Sequence, residues 1–332
     1  LEETLQFFKE LGIYPKERNG GYYPQSEQAT AIRDVLLMEL KKQNVGVVCG
    51  CGIKGIGKTA KGFTFHTKGG DFYATKCIMA TGGKTLKKSG SDGSGFLYLE
   101  SLGHHIIDLV PGLIGLKGKQ SFFADIAGIR ADVKVDLYIE STHACSERGE
   151  LQLTNYGISG IPVFQLSRVA TRALSEQKKV YATLNFVPFW EKEQCLTYFK
   201  ERFKKADEKH IGEALIGFFP EKLIPVLLEE SHIKAAKYAN RLQTEELERF
   251  IDTVQGLRVD ITDWNTFDTA QVTAGGVDTD EIDAETMESK LCPGLYFAGE
   301  MVDIDGICGG YNLQWAWSSG AVAGIHVARE LS

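Results

Sequence analysis

"GLYFAGEMVDIDGICGGYNLQWAWSSG", residues 294–320, joins a short apolar run to a stretch of small residues through a loop of Gly and Asp. A run this apolar reads as a strand buried on both faces, and Ala298-Gly299-Glu300 places a carboxylate at its carboxyl end. "FYATKCIMATGG", residues 72–83, has the same form and ends in Ala80-Thr81-Gly82-Gly83, where glycines let the backbone approach a ligand closely. Two such strand ends argue for an open α/β sheet that binds a ligand beyond its carboxyl edge. Gly309 and Gly310 then open a helix at Tyr311-Asn312. An acid at a strand end suits sugar-like hydroxyls, and a helix N-terminus suits an electron-rich ring edge.

The rest of the 332-residue chain is consistent with two or three globular domains, being 43% hydrophobic and 24% charged without low-complexity tracts. The longest apolar stretches, such as "IIDLVPGLIGL", are broken by Asp108, Pro111 and Gly112, short of the roughly 20 residues that span a bilayer. A net charge of −7 gives no field to hold nucleic acid non-specifically and favours a small-molecule partner. Seven scattered cysteines, with only Cys49 and Cys51 close, read as reduced thiols of a cytoplasmic protein. Adjacent His104-His105 and five dispersed histidines do not form a metal set.

Helical spacing of Leu1, Leu5, Phe8 and Leu11 predicts a first helix. A second is expected over Ser26–Gln43, with Ala29, Ile32, Leu36 and Leu40 on one face, and "ERNGGYYP" as the turn between the two. Strand-like runs follow at "VGVVC", "GFTFHT" and "DFYATKCIMAT", with a hairpin at Gly69-Gly70. "SGSDGSGFLYLESLGHHI" reads as a loop and a helix. Residues 108–190 are mostly strand-like, including "ADVKVDLYIE", with one helix opening at Pro162. Residues 191–252 are helical, and ten Lys/Arg against ten Asp/Glu between 196 and 250 describe a solvated surface.

One loud motif is rejected. Gly52, Gly57, Lys58 and Thr59 have the G-x-x-x-x-G-K-T spacing of a nucleotide-binding loop, which requires a helix starting at the Lys-Thr pair. Here "AKGFTFHTKGGDFYAT" follows, with alternating Phe63 and Phe65 and paired glycines, so strands are expected and ATP binding is not. Ile53 and Ile56 are expected to face the core. Hydrolase chemistry also ranks low, because "GISGIP" is not G-x-S-x-G.

"ATGGKTLKKSGSDGSGF", "LQLTNYGISGIPVFQLSR", "QVTAGGVDTDEIDAETMESKLCPGLYFAGEMVDIDGICGGYNLQWAWSSG" and "GGYYPQSEQATAIRDVL" closely resemble the BaiN/RdsA-type bacterial flavoproteins, NAD(P)/FAD-dependent or aminoacetone-oxidase-like oxidoreductases. The resemblance spans essentially the whole chain. It implies a glutathione-reductase-like FAD/NAD(P)-binding domain of the α/β class, residues 1–107 and 271–332, interrupted by an insert of mixed β-barrel and helical character at 108–270, helical near 191–252. It implies further that Ile53 lies beside the adenine of FAD and that Ala80, Thr81, Gly82 and Gly83 line the dinucleotide. Glu300 and Asp303 would hold its ribityl or pyrophosphate part, with Gly299 and Gly306 among the cofactor-binding residues. Gly309, Gly310, Tyr311, Asn312 and Leu313 would face the isoalloxazine, with Tyr311 and Asn312 the candidates for touching substrate.

The family opens with a strand and a glycine-rich dinucleotide fingerprint that this sequence lacks, so the expectation is a domain truncated at its N-terminus that retains FAD weakly or not at all. Asn155 stands where many relatives carry His and receives no acid/base role; Cys308, without a partner cysteine, reads as a packed thiol. The implied activity is hydride transfer between NAD(P)H, flavin and an alkene-, carbonyl- or amine-type substrate. Reduction of uridine to dihydrouridine in ribosomal RNA is the alternative, and a fragment that binds no flavin the non-catalytic one.

Overall fold

The computed structural model describes residues 1–332 and falls into two compact units, Leu1–Leu109 with Val272–Ser332, and Val110–Gln271. Helix α1 (Glu2–Glu10) leads into an antiparallel hairpin, β1 (Pro15–Arg18) and β2 (Gly21–Pro24), where a turn alone was expected. Its two turn residues both have positive φ, Asn19 at 52° and Gly20 at 79°, the Asn-Gly signature of a turn whose twist matches paired strands. Helix α2 (Ala29–Lys42) follows, but the face expected to be buried is not: no residue of α2 is fully buried, and Ala29 and Leu40 are exposed. The expected strand at "VGVVC" is absent as well. Val45, Val47 and Val48 stand in an exposed loop, because no other strand lies alongside to pair with them.

Strands β3 (Ile53–Thr59), β4 (Gly62–Thr67) and β5 (Gly70–Ala74) form an antiparallel meander in place of a phosphate loop and helix. Of the two isoleucines expected to face inward, Ile56 packs on the core and Ile53 is 36% exposed. Residues three apart fall on opposite faces of a regular strand, and the bulge between Ile53 and Gly55 alters the register without burying Ile53. Lys58 is spent on the protein's own surface: its Nζ donates to the Pro293 carbonyl at 2.5 Å and lies 4.0 Å from the Phe63 ring centroid.

The expected "DFYATKCIMAT" run divides into β5 and β6 (Cys77–Met79), and is followed by α3 (Ser94–Ser101) and β7 (Ile106–Gly112). The second unit then contributes β8 (Leu116–Gly118), α4 (Phe123–Ile126), β9 (Arg130–Ile139), β10 (Thr142–Thr154), β11 (Gly157–Gly160), α5 (Ile161–Ser175) and β12 (Val180–Asn185). Helices α6 (Lys192–Lys204), α7 (Ile211–Leu215), α8 (Leu223–Glu230) and α9 (Thr244–Gly256) precede β13 (Leu257–Trp264). Six strands close into a barrel in the order β10-β11-β8-β13-β12-β9, so none of them leaves an open edge. Alternation on β9 sends Val133, Val135 and Leu137 into the core between Lys134 and Asp136. Helix α5, with Pro162 near its start, packs Leu166 and Ala170 into that core, which continues into the helical part through Phe199, Phe203, Phe219 and Phe250.

The chain returns as β14 (Val272–Val277), paired with β7, then β15 (Leu295–Phe297) and α10 (Tyr311–Leu331). β15 pairs in parallel with β6, Leu295 opposite Cys77 and Phe297 opposite Met79, so Ala80 and Ala298 leave the pair at the same end. No helix is long and apolar enough to cross a membrane.

Since Lys58 anchors Pro293 and Phe63, Lys58→Ala is expected to destabilise the protein by about 1–2 kcal/mol in chemical denaturation and to leave ATP affinity unchanged. A measurable ATP affinity that the substitution removes contradicts this structural role.

Candidate cofactor site

The parallel pair β6–β15 delivers Ala80–Gly83 and Gly299–Glu300 to one end, and β14 brings Thr273 beside them. The Glu300 carboxylate accepts hydrogen bonds from the Thr273 N–H at 2.6 Å and the Gly83 N–H at 3.3 Å. The Thr273 hydroxyl in turn accepts from the Lys84 N–H at 2.7 Å, and the Ser91 hydroxyl donates to the Gly83 carbonyl at 2.9 Å. Position 83 must be glycine: a Cβ there would lie 2.2 Å from the Thr273 hydroxyl oxygen and 3.1 Å from the Glu300 carboxyl carbon. Burial pushes the Glu300 carboxyl above its ordinary value, against the opposing pull of the Thr273 and Gly83 N–H groups. Asp303 takes a parallel role one step along, accepting from the Gly275 N–H at 3.0 Å.

Helix α10 is docked on the same strand end through the backbone of Gly299. The Gly299 N–H donates to the Ser319 hydroxyl and its carbonyl accepts from the Trp315 indole, both at 2.9 Å. The helix begins after Gly310 without a side-chain cap, so its first backbone N–H groups face outward with the positive end of the helix dipole. Asn312 folds back on its own loop, its amide oxygen accepting from the Gly306 N–H at 2.8 Å and its amide nitrogen donating to the Gly306 carbonyl at 2.9 Å. That leaves Tyr311 and Leu313 as the exposed side chains at the helix start.

The structure thus gathers Ala80, Thr81, Gly82, Gly83, Glu300 and Asp303 at the strand ends and links them through Gly299 to the loop from Gly306 to Leu313. Ile53 stands apart. Its carbonyl accepts from the Tyr98 hydroxyl of α3 at 2.6 Å, and α3 reaches the strand-end group through Gly95, whose missing Cβ would meet the Thr81 hydroxyl at 2.1 Å. Thr273, Trp315 and Ser319 were not singled out from the sequence; for Thr273 the nearby Gly275-Gly276 was the available signal, and for Trp315 and Ser319 there was none.

A second polar cluster looks catalytic and is not used that way. His104, fully buried, meets the Glu281 carboxylate at 2.8 Å and the Ser289 hydroxyl at 3.0 Å, a Ser-His-Glu line. The same hydroxyl already accepts the N–H groups of Leu291 and Cys292 at 3.1 and 2.7 Å and is buried, so it secures a turn and has no room for an acyl group. No group of three His, Cys, Asp or Glu is placed to hold a metal ion.

Residues 1–326 match the model of the HI0933-like protein Rossmann domain. The chain is 44% identical over 322 residues to a 3-dehydro-bile acid delta(4,6)-reductase of Clostridium scindens, covering 97% of this chain and 79% of that protein. It is 29% identical to the ribosomal RNA dihydrouridine synthase of Escherichia coli over 96% of this chain and 76% of that protein. To the enzyme of the same description from Haemophilus influenzae it is 26% identical over 99% and 80%.

Glu300 gives the site a pH signature. Because burial raises its folded-state pKa, its contribution to stability is full below the ordinary value of 4.5 and is lost as pH rises through the raised one. Relative to Glu300→Gln, the wild type is therefore expected to lose unfolding free energy as pH climbs from below 4.5 towards neutrality, by about 1.4 kcal/mol for each unit by which the pKa is raised. Denaturant titrations at a series of pH values measure it; a difference that stays flat, or moves in the wild type's favour with rising pH, contradicts the assignment.

Proposed function

Because this chain belongs to the HI0933-like Rossmann family of flavoprotein oxidoreductases, we propose that it is an FAD-dependent reductase of a conjugated double bond in a small apolar carbonyl compound, with NAD(P)H as reductant. The observation that carries the reading is the meeting of two parallel strand ends, a partly buried carboxylate and an uncapped helix start through the backbone of Gly299. The 44% identity to a reductase acting on a 3-dehydro-bile acid supports the substrate class. The finer architecture we propose is glutathione-reductase-like, with the cofactor lying across the ends of β6 and β15.

The residues fit such a group. Gly83 admits no Cβ because Thr273 and Glu300 fill that space, which keeps the end of β6 packed directly against both. Glu300, oriented by Thr273 and Gly83, would have lone pairs left for ribityl-type hydroxyls, and the start of α10 would offer N–H groups and positive potential to an electron-rich ring edge. Bound FAD would supply the hydride chemistry; the protein orients it and excludes competing reactions. Tyr311, exposed at the helix start, would donate a hydrogen bond to the substrate carbonyl oxygen, drawing electron density from the conjugated double bond. Asn312 positions this group by holding the loop through Gly306.

Reduction of uridine in ribosomal RNA is the second reading, motivated by the two dihydrouridine synthases among the relatives. The barrel surface favours the small molecule. Arg130 pairs with Glu150, Lys134 with Asp136, Arg148 with Asp132, Arg258 with Asp260 and Lys117 with Asp263, so these cations do not form a free basic groove.

The protein supplied with FAD is expected to carry flavin absorbance, to oxidise NAD(P)H in the presence of a polycyclic enone, and to form no dihydrouridine on unmodified ribosomal RNA scored by mass spectrometry. Gly83→Ala, whose Cβ would push Thr273 and Glu300 aside, is expected to weaken FAD binding by about tenfold or more. Protein that cannot be reconstituted with FAD overturns the reading, and RNA product without enone reduction replaces it with the second.

A further inference from the structure

A cleft of about 560 Å³ lies between the tip of the β1–β2 hairpin and the segment entering α10, lined by Arg18, Asn19, Gly20, Gly21 and Tyr23 on one side and Ile307, Cys308, Gly309 and Tyr311 on the other. Three large side chains that a soluble surface ordinarily covers are left open on it: Tyr23 at 45%, Ile307 at 52% and Tyr311 at 59% exposure. The glycines of both walls add no side chains, so the room between the aromatic and aliphatic faces stays free. Cys308 adds apolar wall, its thiol pushed up by burial and therefore neutral.

Arg18 is the single charged residue of the lining. Its guanidinium lies 4.8 Å from the Tyr23 ring centroid, which holds the planar fork over an aromatic face. Its ionic contact is weak: Glu27 is 3.9 Å away and is engaged more closely by Lys16 at 3.0 Å, both at exposed positions. The hairpin that carries Arg18 is preformed, its turn fixed by two positive-φ residues and by the Glu17 carboxylate, which accepts from the Gly20 N–H at 2.7 Å.

We propose that this cleft is the substrate-binding site and that Arg18 selects the substrate by pairing with its anionic end, the ligand class being a flat, polycyclic apolar body that ends in a carboxylate. The rings lie between Tyr23, Ile307 and Tyr311, and the carboxylate meets the guanidinium at the hairpin. Arg18 acts in binding only and touches no reacting atom. The inference rests on the flavin reading above for what happens to the bound molecule, and on the cleft alone for binding.

The two are separated by measuring binding and turnover in parallel, with a steroid enone carboxylic acid and its methyl ester as probes. By calorimetry the wild type is expected to bind the acid about tenfold or more tightly than the ester, the worth of one charge-assisted contact. Arg18→Ala is expected to erase that preference by weakening the acid and leaving the ester unchanged, with Arg18→Lys restoring part of it; circular dichroism and flavin content report that the variant is folded. In turnover the same variant is expected to raise KM for the acid and to leave kcat unaltered. An acid that binds no better than its ester, or a preference that survives Arg18→Ala, overturns the proposal. Binding that follows Arg18 without reduction of the double bond leaves the cleft assigned and removes the proposed activity instead.

Discussion

The Glu300 carboxylate holds the candidate site together. It sits at the end of β15 and accepts N–H groups from the end of β6 and the start of β14, so three segments far apart in sequence are fixed by one side chain. Even a partly buried carboxylate is costly unless its lone pairs are satisfied, and two backbone N–H groups go towards meeting that requirement while leaving the group raised in pKa. Glycine at 83 follows from the same geometry, because any Cβ would enter the space of Thr273 and Glu300. The next residue back, Gly299, then attaches α10 through both its N–H and its carbonyl, and with it the loop that carries Tyr311.

Much of this arrangement was legible in 294–320. A strand buried on both faces must be continuously apolar, and Leu295, Tyr296 and Phe297 are all fully buried. A carboxylate placed right after such a strand has few roles other than to bind something, and glycines before a helix of small residues mark a close approach. What could not be read were pairings set by distant partners. Thr273 supports Lys84 and Glu300, yet nothing local distinguishes it from a threonine in any buried strand. The resemblance to a flavoprotein family named Asn312 as a candidate without saying that it spends its amide on Gly306.

Two of the misread segments share one cause. "VGVVC" has strong strand propensity, but a strand exists only with a neighbour, and here Val45, Val47 and Val48 find none. The apolar face of α2 was inferred from periodicity, which says where a helix could be buried and not whether anything covers it. The hairpin at Asn19-Gly20 carried its signal in plain sight, since that dipeptide is the favoured two-residue turn between paired strands. In the second unit alternation was legible on β9, where Val133, Val135 and Leu137 face the core, while the barrel itself was implied only by the family resemblance.

The central claim is that strand ends, carboxylate and helix start form one cofactor site. A crystal structure of the protein grown with FAD tests it most directly. The account predicts flavin density with its ring system at the start of α10, beside Gly309 to Leu313, and a ribityl hydroxyl within hydrogen-bond distance of Glu300. Density for FAD elsewhere on the chain, or a bound FAD that leaves Glu300 touching only Thr273 and Gly83, contradicts it.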